Sequence, residues 1–158
     1  MNLFAVNLLL ALVWGILTSF TVLGLVSGFL IGFGALWLSQ PLYGETGNYF
    51  VRILRIIHLA LFFVFDLVTS SFQVAWDVLT PQHLSKPQIV EVPLDVTSDL
   101  EILLVTNLIS LTPGTLSLAV SEDRKKLYVH AMFAEDPEQV VADLKNGMER
   151  RVRRVFVS

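Results

Sequence analysis

Between Arg52 and Leu79 the chain places Arg55, His58, Phe62, Asp66, Thr69, Ser70, Gln73 and Asp77 at steps of three and four. In a helix these residues share one side, while Phe63, Leu67 and Phe72 fall elsewhere. Asp66 stands 14 residues beyond Arg52 and 11 before Asp77, in an apolar run that no Pro or Gly interrupts. A carboxylate held ionised near a bilayer centre costs roughly 2.5 to 3.5 kcal/mol on insertion scales, so it must be paired, protonated or open to a water-filled cavity. Arg55, His58, Asp66, Gln73 and Asp77 are therefore candidate interface or ion-path residues. Arg55 and His58 lie too far along the helix for ordinary i to i+4 pairing with Asp66, so its expected partner is on another subunit.

Other chemistry finds little support. His58 and His83 are 25 residues apart without further ligands at metal spacing. Ser110 or Ser117 with His130 could be drawn as a triad, but no spacing selects them, and no phosphate-binding glycine loop or nucleophile elbow is present. The chain has no cysteine, which excludes disulfides and thiol chemistry. No catalytic, cofactor-binding or metal-ligating residue is assigned, no cofactor is expected, and the chain does not read as an enzyme.

The elements that must position Asp66 follow from apolar length. Arg52 to Leu79 as a helix would measure about 42 Å, more than a hydrocarbon core of ~30 Å. No Asp, Glu, Lys, Arg or His precedes Glu45, and Leu3 to Leu38 is about right for two short helices turning near Gly24 to Gly28. Gly24, Gly28 and Gly32, four apart, would let a second helix approach closely. Trp14, Trp37 and Tyr43 are candidate aromatic anchors. A basic n-region is missing, so this segment does not read as a signal peptide. Gln40 to Asn48 reads as a turn, and Pro81 ends the long helix.

After Thr80 the composition changes. Nine of the eleven Lys and Arg and eleven of the fourteen Asp and Glu lie there, although the whole chain is 54% hydrophobic with a mean hydropathy of +0.66. The net charge of -3 and the mixed signs give no long basic stripe and no nucleic-acid partner. Gln88 to Leu94 alternates like a strand that Pro93 confines to an edge or an end. Ser98 and Glu101 form a capping box before a helix of roughly twelve residues. Thr115 to Val120 and Leu127 to Phe133 predict a hairpin around Ser121 to Lys126. Asp136, with Pro137 and Gln139, opens a last helix whose apolar spacing continues past Gly147. Arg150, Arg151, Arg153 and Arg154 read as a solvated helix face or as a contact for anionic lipid.

The fold class predicted is thus membrane α-helical, about three spans, followed by a small β-α-β-β-α domain. Residues 1–80 form the transmembrane region, with spans about 3–20, 22–39 and 52–79, and residues 88–158 the small soluble α/β domain. Without further information this is a membrane-tethered sensor or adaptor.

Thr112, Pro113, Gly114 and Thr115, followed by the hairpin and LYVHAM from Leu127 to Met132, resemble the signature of the E-type subunits of the multisubunit Mrp-type (Mnh-type) Na+/H+ antiporters. The length, the apolar N-terminal half and the compact C-terminal half match as well, and Ala119 stands where many members carry an acid. The resemblance implies an accessory, assembly or stabilising subunit of a monovalent cation/proton antiporter in the bacterial inner membrane, with other antiporter subunits and membrane lipid as partners. Arg52 and Arg55 against Lys86 place the soluble domain outside by local charge, whereas the resemblance implies that it is cytoplasmic.

Overall fold

A computed structural model describes residues 3–43, 47–81 and 84–157. His83 and the Glu45 end of the QPLYGETGN segment lie outside the described residues. The chain forms two compact units, Met1–Ile53 and Leu54–Ser158.

In the first unit, α1 (Leu3–Leu17) and α2 (Val22–Leu38) form a hairpin. The turn falls at Thr18 to Thr21, not at Gly24 to Gly28. Ser19 and Phe20 adopt left-handed backbone, and the Thr21 hydroxyl accepts from the Gly24 amide at 3.0 Å, so an N-cap decides the boundary. The glycines instead lie on the face of α2 that meets α1. A methyl at Gly28 would stand 2.8 Å from Trp14 Cβ, and one at Gly32 would stand 2.3 Å from Asn7 Oδ1. Fully buried Asn7 donates to the Tyr49 hydroxyl at 2.9 Å, beside a small core of Leu3, Leu36 and Phe50. Gln40–Tyr43, expected to be turn, is a short helix, α3. The long helix α4 spans Gly47–Leu79 and so begins before Arg52.

The three predicted membrane spans are overturned. Among the described residues no helix is long and apolar enough to cross a membrane. The charge-free run divides into helices of 15 and 17 residues, about 22 and 25 Å at ~1.5 Å per residue, short of a ~30 Å hydrocarbon core. α4 has the length, but Arg52, Arg55, His58, Asp66, Gln73 and Asp77 make it much less apolar than α1 or α2.

The second unit continues from α4 into β1 (Gln88–Pro93), α5 (Asp99–Leu111), β2 (Thr115–Val120), β3 (Lys126–Ala131), α6 (Pro137–Leu144), a π-helical segment (Lys145–Glu149) and α7 (Arg150–Phe156). The sheet is antiparallel in the order β1-β3-β2, so Pro93 ends an edge strand. Period-two alternation turns Val90 and Val92 of β1 and Leu127, Val129 and Ala131 of β3 to one face. There they pack with Ile102, Val105 and Ile109 of α5 and Val152 of α7. The register slips between Ser117 and Ala119, a bulge at Leu118.

Local signals set the element ends. Ser98 and Glu101 make both bonds of the capping box. Asp136 accepts from the amides of Glu138 and Gln139, but the Gln139 side chain donates to Asp143 at 2.7 Å instead of closing a second box. The last helix does pass Gly147, with one wider turn inserted. That turn buries Met148 and Glu149 side by side, and Glu149 Oε1 accepts from the amides of Asp95 and Val96.

Candidate functional site

Within the second unit the polar side of α4 faces the α5–β2 turn and the π-helical segment across a groove of about 270 Å³. Phe62, Asp66, Ser70 and Gln73 line one wall. Thr112 to Thr115, Phe133, Asp143 and Gly147 line the others.

Thr112 ends α5, and its hydroxyl lies 3.0 Å from the Leu108 carbonyl and 3.3 Å from Asp66 Oδ2. One hydroxyl proton serves both acceptors, so Asp66 receives the longer, weaker contact. Asp66 thus meets a residue 46 positions along the same chain. Gly114 has φ +90°, in the left-handed region, which lets the chain reverse from α5 into β2. Thr115 Oγ1 donates to the Ile109 carbonyl at 2.7 Å and tightens that reversal.

Arg151 is the residue missed by sequence reasoning. Its guanidinium lies 3.6 Å from the centroid of the Phe62 ring and donates to the Gly147 carbonyl at 2.8 Å. Nothing in RRVRR distinguishes Arg151 from its neighbours; the π-helical turn decides which arginine faces α4. Burial raises the Asp66 carboxyl above its usual range, opposed by the Thr112 hydroxyl and the charge of Arg151.

The other predicted residues separate. Arg55 reaches the end of α7, where its Nη1 donates to the Arg154 carbonyl at 2.8 Å and to that of Val157. Positive charge at a helix C-terminus is favourable. Asp77, almost fully buried, accepts from the amides of Leu84 and of Ser85, the latter at 3.1 Å, and fixes the chain leaving α4. His58 is exposed; Gln73 lines the groove although it too is exposed.

Ser110 and Ser117 are committed to tying β2 to α5. The Ser117 amide donates to Ser110 Oγ at 3.1 Å, and its hydroxyl donates to the Thr106 carbonyl at 3.0 Å. His130 alternates with buried Val129 and Ala131 on the opposite face of the sheet, so the structure does not assemble a triad.

The family described as Na+/H+ ion antiporter subunit matches residues 7–155. The chain belongs to this antiporter subunit family. A Na(+)/H(+) antiporter E1 subunit from Staphylococcus epidermidis is 36% identical over 154 residues, 96% of each chain. The E1 subunit of Staphylococcus haemolyticus is 37% identical over 151 residues, 94% of each. Among solved structures, a chain of the Mrp complex from Dietzia sp. DQ12-45-1b matches with TM-score 0.52 and 31% identity, covering 66% of this chain and 98% of that one. A chain of a membrane-bound sulfane sulfur reductase, an archaeal respiratory membrane complex, superposes with TM-score 0.58 over 98% of both chains at 23% identity, a likeness of fold alone. The resemblance carried by TPGT and LYVHAM is therefore one of family, and membership makes the chain a subunit of a membrane cation/proton antiporter.

Proposed function

We propose that this antiporter subunit has an assembly and stabilising role: α4 braces the α/β unit, and the α/β unit faces the cytoplasm. Its partners are the other antiporter subunits and the surrounding lipid. The observation that supports this reading is the use α4 makes of its ionisable residues. Arg55 holds the end of α7, Asp66 meets Thr112, and Asp77 holds the amides of Leu84 and Ser85. Each connects α4 to a different later segment, which is how a scaffold uses charge. The outward side of α4 leaves Leu61, Phe65, Phe72 and Trp76 exposed, a surface suited to partner helices or lipid.

Substitution at Asp66 tests the role. Asn keeps an acceptor for Thr112 without the charge, whereas Ala removes both. Asp66→Asn is expected to assemble and exchange nearly as the unsubstituted complex does, and Asp66→Ala to lower co-purification with the other subunits. An intact, normally abundant Asp66→Asn complex without exchange would move Asp66 into the ion path. Purification of the tagged chain with a soluble signalling partner and no antiporter subunits would favour a sensor or adaptor. Labelling of a Ser121→Cys variant from the periplasmic side alone would reverse the orientation.

A further inference from the structure

α7 carries four arginines within Arg150–Arg154, and the fold sorts them. Arg151 turns inward over Phe62. Arg150, Arg153 and Arg154 are exposed and, three and four positions apart, share one side of the helix. Among the described residues none of these three side chains makes an ion pair or hydrogen bond, although the exposed Lys86, Arg124 and Lys126 are each paired with an acid. The cluster also acts on itself. Burial first, then the charges of Arg154 and Arg150, lower the pKa of the Arg151 guanidinium.

A further cation meets the end of α7. Arg55 donates to the carbonyls of Arg154 and Val157, which anchors the end of α7 on α4. Val157, at the end of α7, is an exposed apolar side chain. Unrelieved guanidinium charge beside an exposed aliphatic side chain, on a subunit of a membrane antiporter, fits the headgroup level of an anionic membrane. There phosphate accepts from the guanidinium fork and Val157 meets the upper acyl region. An acidic protein segment would satisfy the charges but gives no reason for the bare valine at the end of the helix.

We propose that Arg150, Arg153 and Arg154, with Val157 at the end of the same helix, form a binding surface for the headgroups of anionic phospholipid. This rests on the reading of the chain as a membrane antiporter subunit whose α/β unit lies at the cytoplasmic leaflet.

The chain has no cysteine, so Val157→Cys offers a single labelling position beside the cluster. The full chain, carrying an environment-sensitive dye there, is held in neutral detergent micelles and titrated with phosphatidylglycerol or phosphatidylcholine. Phosphatidylglycerol is expected to change the emission saturably and phosphatidylcholine not to, with the response weakening as salt rises. Replacing the three arginines by glutamine should weaken the apparent affinity on the order of a hundredfold, from about one kcal/mol for each charge near an anionic surface. The triple lysine variant should retain most of the response, which separates lost charge from lost folding.

Equal responses to the two lipids, or an unchanged response in the glutamine variant, would overturn the proposal. So would a glutamine variant that loses the other antiporter subunits while phosphatidylglycerol binding persists, since that outcome identifies an acidic protein partner. Co-purification of the unsubstituted chain with the antiporter subunits is scored separately, so failure of the subunit reading is distinguishable from failure of lipid binding.

Discussion

At the scale of single residues, Asp66 sits between two opposing influences. Burial favours its neutral form, while the Thr112 hydroxyl and Arg151 favour its charge, and burial is the larger. A carboxyl whose folded pKa lies above its unfolded value holds more protons in the folded chain. Its contribution to stability is complete below the unfolded value, near 3.8, and is lost as pH rises through the folded one. Asp66→Asn has no such titration. Thermal unfolding of the two chains should agree best in acid and separate in favour of Asn as pH rises from about 3.8 toward neutrality. Parallel profiles would show that ionisation of Asp66 carries no folding cost. The acid was legible in the sequence as a residue needing a partner, but its partner was not, because Thr112 reaches it only when α5 ends against α4.

At the scale of elements, the turn between α5 and β2 controls the groove. Thr112 and Thr115 each bond back to carbonyls of α5, and Gly114 supplies the left-handed step between them. A methyl at Gly114 would find only ordinary contacts at 3.5 to 3.6 Å, so backbone conformation, not space, opposes substitution. Gly114→Val places a β-branched residue at φ +90° and should cost about 1 to 3 kcal/mol. The level of assembled complex should fall further than exchange per complex. Normal abundance with defective exchange would make the turn part of the transport chemistry. The α6–α7 region illustrates the limit of periodicity: Val152 and Val155 signal a continuing helix, but the π-helical turn that buries Glu149 and rotates Arg151 toward Phe62 answers contacts with the segment after β1 and with α4.

At the scale of the whole molecule, α4 is completed by segments far along the chain. Ending the chain after Pro81 would remove Thr112, the Leu84 and Ser85 amides and the carbonyls of Arg154 and Val157. Asp66, Asp77 and Arg55 would lose these partners together. The lone α4 then keeps no α/β unit to pack on, and a helix draws most of its stability from such tertiary packing. The truncated chain should therefore show both lower abundance and weaker co-purification with the other subunits, read by immunoblot of membranes and of the purified complex. A truncated chain at full abundance in a fully active antiporter would refute the bracing role.

By itself the sequence determined what is local. The β-α-β-β-α order follows from alternation in QIVEVP and KLYVHA, the Ser98–Glu101 and Asp136 caps, and the stop at Thr112 to Gly114. The family signature lies in that same stretch. Tertiary structure decided what depends on distance: the Thr112 contact with Asp66, the burial of Glu149 against the Asp95 and Val96 amides, and the choice of Arg151 to cover Phe62. It also corrected the apolar N-terminal half, where charge-free length suggested membrane spans but the Thr21 cap and two left-handed residues divide the run into helices too short to cross. The physical reason is common to all of these. Hydrophobic period and capping act within a few residues, whereas the groups that satisfy buried polar atoms and set where apolar runs break are supplied by whichever segments packing brings near.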